Sequence, residues 1–231
     1  MNQGAPPYRG KLRIIAIDGP AGAGKTTTAR EVARRLRFLH LDTGAMYRAI
    51  ALKVLRENCP LDDQHGIGRI AKGAQVALTQ AEGCQHVILD GEDVTHLIRS
   101  PEVTLAVTPV CEVGAVRQRL VEMQRAIGKA SGGAVVEGRD IGTVVFPEAQ
   151  LKLFLVADLK VRARRRLLEL PAAAEAPTLE EVMSEIEERD RRDQGRALAP
   201  LRQAPDAILM DTTHLSFKQQ VEEIIRLFES P

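Results

Sequence analysis

Eight consecutive residues, Gly19, Pro20, Ala21, Gly22, Ala23, Gly24, Lys25 and Thr26, fit the pattern G-x-x-x-x-G-K-[ST]. The glycines let the backbone curl until successive N–H groups face one anion. A helix starting near Lys25 would add the positive end of its dipole to the same anion. Lys25 is placed to bridge the β- and γ-phosphates of a nucleoside triphosphate, and the Thr26 hydroxyl suits Mg2+. Thr27, the next residue, completes the set expected to touch the donor. The alternative is a chance glycine-rich turn, and the flanks argue against it. Residues 13–18 (RIIAID) form a short apolar run, and Ala29, Val32, Ala33 and Leu36 recur at helical spacing after the loop.

Two arginine groups could serve the same chemistry. Arg162, Arg165 and Arg166 lie at i, i+3 and i+4, and such arginines could act as an arginine finger supplied in cis, worth roughly 10³–10⁵ in rate in related chemistry. Their plain alternative is a nucleic-acid patch. Arg189, Arg192, Asp193 and Arg196, at i, i+3, i+4 and i+7, share one helix face, so that one helix presents three cations. Here the alternative is an exposed helix laced with ion pairs. Glu137 ends an apolar run and is placed either to hold a magnesium-bound water or to make a sheet-edge hydrogen bond; both readings stand. Among the five histidines, His40 on a strand and His65 in a turn show no metal-ligand pairing, and none is given a role.

The elements that must position these groups alternate. Strand, loop and helix open the chain, a second strand at 38–41 meets Asp42-Thr43-Gly44, and a helix follows to about Arg56. Further buried strands are expected at 134–137, 151–156 and 207–210, which gives an α/β fold with a five-stranded parallel sheet flanked by helices. About ninety residues separate the second strand from the third, far more than a usual α/β connection. An inserted subdomain at about 62–111 is therefore expected. Within it Ile67, Ile70, Ala71 and Ala74 trace a helical stripe, and strands at 76–79 and 86–89 are joined across Glu82-Gly83. Val113, Val116, Leu120, Met123 and Ile127 mark a long helix returning to the sheet. Residues 1–11 read as a loose tail, and 171–177 (PAAAEAP) as a linker.

Composition narrows the partners. The chain has 231 residues, 44% hydrophobic and 27% charged, and no apolar run approaches the roughly 20 residues of a bilayer span, so a soluble cytoplasmic protein is expected. A net charge of +1 and seven aromatics argue against a nucleic-acid partner. Cys59, Cys84 and Cys111 lack a CxxC pair and read as reduced structural thiols.

A phosphate loop alone could belong to a GTPase, a switch or a kinase, and no [NT]-K-x-D guanine-reading segment occurs. Four further segments are specific. IIAIDGPAGAGKTTTAREVARRL, LDTGAMYRAIAL, VVEGRDIGTVVFPEAQLKLFL and ERDRRDQGRALAPL, in this order from about Arg13 to Phe228, resemble the bacterial CMP/dCMP kinase family. The resemblance implies transfer of the γ-phosphoryl group of ATP to CMP or dCMP, a nucleotide-monophosphate-binding insertion and a lid at about 158–198. It implies that Thr43, Tyr47, Arg48 and Arg139 contact the acceptor nucleotide, and that Asp140, with Arg117 and Thr108, reads cytosine. Arg189 and Asp193 would meet the ribose and Arg196 the acceptor phosphate. Lys25, Arg139, Arg162, Arg165 and Arg196 form the expected catalytic set, with Thr26 as the metal ligand, small-molecule substrates as the partners and a monomer as the assembly.

Read physically beside it, Arg48 follows Tyr47 at the sheet end where the loop lies and could clamp a phosphate, with core packing as the plain alternative for Tyr47. Arg139 and Asp140 follow the third strand, at the crest where ligands of parallel sheets gather. No general base is needed, because the acceptor is already a phosphate dianion. Two rivals are a kinase of the same fold for UMP, AMP or a non-nucleotide acid, and a switch protein that hydrolyses ATP to change shape.

Overall fold

Alternate residues of the first strand, β1 (Ile14–Asp18), divide two cores, as the two-residue period of a strand requires. Ile14 and Ala16 join one buried cluster and Ile15 and Ile17 another. A strand buried on both faces reads as one continuous apolar run, which is why IIAID carried no alternation in the sequence. The structure, a computed structural model, describes residues 13–81, 84–169 and 177–230. The tail, the Glu82-Gly83 turn and residues 171–176 of the expected linker lie outside the described residues, as does the Cys84 side chain.

After β1 come α1 (Lys25–Leu36), β2 (Leu39–Asp42), α2 (Thr43–Arg56) and α3 (Gln64–Gly73). Next are β3 (Val76–Ala81), β4 (Cys84–Leu89), the two-residue β5 (Glu92–Asp93), a 3₁₀ turn (Leu97–Arg99), α4 (Pro101–Glu112) and α5 (Gly114–Ala130). The chain returns to the sheet in β6 (Ala134–Gly138), makes a π-turn (Ile141–Val145), and continues with β7 (Leu151–Val156), α6 (Leu159–Glu169), α7 (Leu179–Gly195), β8 (Ile208–Asp211) and α8 (Phe217–Glu229). The five parallel strands take the order β2-β6-β1-β7-β8, and β3, β4 and β5 make a separate antiparallel sheet.

Five strands at nearly the expected positions agree with the sequence, and three local readings are corrected. His65 is the second residue of α3 and not part of a turn, because Asp63 caps that helix by accepting the N–H of Gly66 at 2.8 Å. Ala74 and Val113 cap their helices from outside. Arg196 follows the end of α7 in an extended conformation, so the last of the four i-to-i+7 residues leaves the helix.

The register brings the site together. In β6, Glu137 lies beside Asp42 of β2 and Gly138 lies beside Asp18 of β1. These carboxyl ends form one crest, and the glycine-rich loop leaves it at Gly19. A Cβ on Gly19 would sit 2.1 Å from the Leu155 carbonyl oxygen, at a φ of +146°, so only glycine lets the loop leave β1 this close to β7. Gly22 would place its Cβ 3.0 Å from Cβ of Arg162, so α6 packs directly on the outer side of the loop.

Candidate active site

The cleft above this crest encloses about 260 Å³. The glycine-rich loop forms one end of it. Gly24, in a left-handed conformation at φ 87°, caps α1 and hands over to Lys25 as the first helical residue. Lys25 is 6% exposed, and its Nζ donates to the Pro20 carbonyl at 2.6 Å. Burial, then the facing Arg139 guanidinium, push its ammonium well below the ordinary lysine range. Arg189 is lowered to about 10 by burial and by Arg139, and it makes no hydrogen bond or ion pair with the described residues. Cations crowded in this way suit the binding of an anion such as phosphate.

Thr26 donates its hydroxyl to Glu137 Oε2 at 2.8 Å, and the other carboxylate oxygen of Glu137 lies 2.9 Å from His40 Nε2. Of the two sequence readings of Glu137, the hydrogen bond is the one seen: the next-to-last residue of β6 bonds both the threonine of the loop and His40. Thr43 starts α2 and donates to the Glu137 carbonyl at 2.7 Å.

The other end is built by α2, α4, α5 and the segment after β6. Arg139 donates to Asp193 at 2.8 Å and Arg196 also pairs with Asp193, a carboxylate 2% exposed. Burial raises that carboxyl, but the two guanidiniums outweigh it and hold it below the ordinary range. Arg196 keeps a buried Nε with no partner among the described residues. Asp140 and Arg117 form a buried ion pair, with the Arg117 guanidinium 5.9 Å from the Tyr47 ring centre. Burial pushes the Asp140 carboxyl up although Arg117 pulls it down. Arg48 donates to Thr104 Oγ1 at 2.8 Å, and Thr108 faces the cleft from α4.

The structure therefore brings to one cleft Lys25, Thr26, Thr27, Thr43, Tyr47, Arg48, Thr108, Arg117, Arg139, Asp140, Arg189, Asp193 and Arg196. It keeps others out. Arg192 is exposed and bonds Glu188 at 2.8 Å, so of the three expected cations α7 itself brings Arg189 to the cleft and the residue after the helix brings Arg196. Arg162 is buried against the loop, donating to the carbonyls of Ala157 and Ala21 and to Asp190 at 2.5 Å. Arg165 donates to Thr212 at 2.7 and 3.0 Å, and of this cluster only Arg166 reaches the cleft. Four residues near the chemistry escaped the sequence reading: Asp18, His40, Arg99 and Asp190. Asp18 carried one signal, an acid ending an apolar strand directly before the loop. Asp190 binds the Ala21 N–H at 3.3 Å as well as Arg162.

Comparison with known proteins bears on the whole chain. The cytidylate kinase family matches residues 15–230. A cytidylate kinase of Pelotomaculum thermopropionicum is 52% identical over 212 residues, covering 91% of this chain and 93% of that one. One of Desulfitobacterium hafniense is 50% identical, covering 93% and 91%. A bifunctional pantoate ligase/cytidylate kinase of Synechococcus sp. (strain JA-3-3Ab) is 52% identical over 96% of this chain, which spans 42% of that protein's length. A crystal structure of an uncharacterized protein from Eubacterium ventriosum, 14% identical, superposes with a TM-score of 0.51 over 94% of this chain and 99% of that one, a likeness of fold. With the four segments, the crest and the cleft in place, the match over nearly the full chain shows that it belongs to the cytidylate kinase family.

Proposed function

We propose that the chain transfers the γ-phosphoryl group of ATP to CMP or dCMP, giving ADP and CDP or dCDP. One observation carries the reading: a buried carboxylate–guanidinium pair, Asp140 with Arg117, faces the same cleft as the loop lysine. The pair can accept from the cytosine amino group and donate to its ring acceptors, while Lys25 lies where the transferred group must pass.

The donor phosphates sit on the loop N–H groups from Gly22 to Thr27, and Lys25 turns from the Pro20 carbonyl to the γ-phosphate. Arg48, Arg139 and Arg196 orient the acceptor phosphate in line with it; Arg189 and Asp193 take the ribose. Arg162 and Arg165 support the loop from behind, from where Arg162 can swing to the phosphates once the lid moves. The Thr26 hydroxyl and the Glu137 carboxylate, 2.8 Å apart, are the hard oxygen donors Mg2+ prefers, and His40 orients the second. Mg2+ held by Thr26, and through water by Glu137, would neutralise charge on the β- and γ-oxygens. The acceptor attacks as a dianion, so positioning and charge neutralisation supply the rate.

A coupled assay for ADP tests this directly. ADP formation should depend on added CMP; equal release without it would favour the switch reading. Residues 62–111 and 158–198 are expected to close as insertion and lid and exclude water from the transfer. Their amide hydrogen exchange should slow when ATP and CMP analogues are added together; a response confined to the sheet would contradict closure.

A further inference from the structure

Asp18 has no part in the chemistry above, yet it is 4% exposed and stands between the phosphate loop and the base-reading segment. It ends β1 one residue before Gly19, and its register partner in β6 is Gly138, followed by Arg139 and Asp140. Its two oxygens each take a backbone N–H from that segment, Ile141 at 2.8 Å and Gly142 at 2.7 Å. These are the first two N–H groups of the π-turn. That turn is closed by Phe146 N–H donating to the Ile141 carbonyl at 2.7 Å, which leaves its leading donors without a partner inside it.

We propose that Asp18 is a positioning residue for the acceptor: by capping the π-turn it fixes where Arg139 and Asp140 stand relative to the phosphate loop. The geometry favours this over simple turn-capping. Asp140 has φ −142° and ψ 25°, is the residue from which the turn departs, and accepts Val144 N–H at 2.8 Å on its carbonyl. Its side-chain direction therefore follows the turn, and the turn follows Asp18. A neutral side chain could cap one donor, whereas a carboxylate caps both. Burial pushes the Asp18 carboxyl up to about 6 against the pull of the two N–H groups, so the anion is still the main form at neutral pH.

The inference rests on the acceptor reading of Arg139 and Asp140. Asp18→Asn keeps the shape and one acceptor but sets an amide N–H against one of the two donors. KM for CMP should rise about tenfold and the CMP:UMP ratio of kcat/KM should fall about tenfold, while KM for ATP stays within about twofold. Val221→Ala, in the opposite core, lowers stability without touching the turn and should move none of the three. In the wild type, CMP alone should slow hydrogen exchange at Ile141 and Gly142. A folded Asp18→Asn protein with unchanged acceptor KM and ratio overturns the proposal, as does unchanged exchange at both amides should the variant not fold. A wild type inactive on CMP would instead sink the acceptor reading, and the variant's KM for whichever acceptor is used would still test Asp18.

Discussion

Lys25→Ala should lower kcat for transfer to CMP by on the order of 10³ or more while leaving the apo fold at least as stable as the wild type. Both halves follow from the same environment. Lys25 makes one hydrogen bond, to the Pro20 carbonyl, and its burial, with Arg139 and Arg189 nearby, outweighs the pull of the Glu137 and Asp18 carboxylates. Its folded-state pKa lies well below its unfolded one, so the unfolded chain holds the proton more tightly at neutral pH. For a lysine that is a stability loss, present in full below the folded pKa and relieved as pH rises past the unfolded value. Removing the ammonium removes that loss. Bound ATP reverses the balance, because its phosphates supply the missing anions, and so ATP should raise the unfolding temperature of the wild type more than that of the variant. Thermal unfolding with and without ATP, set beside turnover, checks both. Near-normal turnover in a folded variant would remove the phosphate-loop mechanism.

Asp140→Asn should lower kcat/KM for CMP by on the order of 10² and leave UMP little changed. Cytosine offers an amino donor at C4 and acceptors at N3 and O2, whereas uracil reverses the first two. A carboxylate accepts from the one and repels the other; an amide can meet either. Each lost charged hydrogen bond is worth about 1.5–3 kcal/mol, and sites that would leave a buried group unpaired discriminate most sharply. Asp140 is also the anionic partner of Arg117, which is 8% exposed. The variant keeps an oxygen for that guanidinium but loses the charge, so a lower unfolding temperature should accompany the loss of discrimination. Kinetics with both acceptors at saturating ATP separate the effects: a lower unfolding temperature with an unchanged CMP:UMP ratio would make Asp140 structural.

The parallel sheet was legible because strands buried on both faces read as unbroken apolar runs bounded by glycine or charge. The phosphate loop was legible because its chemistry fixes residue types at fixed spacing. Helix α4 was not read, although it carries Thr108. Its buried positions are Val103, Ala106, Val107, Val110 and Cys111, with Pro109 inside, a β-branched and proline-bearing run whose local preferences oppose a helix that packing against α2 maintains. The π-turn gave no period to read. Asp18, His40 and Asp190 were missed because their partners lie 123, 97 and 28 residues away along the chain. Arg192 was read on one helix face with Arg189, Asp193 and Arg196 because i+3 spacing allows the face but does not fix its edge; Glu188, one turn back, holds it in solvent.

The most direct measurement is an acceptor panel at saturating ATP and magnesium, comparing kcat/KM for CMP, dCMP, UMP and AMP. CMP and dCMP should exceed UMP and AMP by about 10² or more, with negligible ADP formed when no acceptor is added. Comparable rates on all four, or ADP released without an acceptor, would contradict a cytosine-reading kinase.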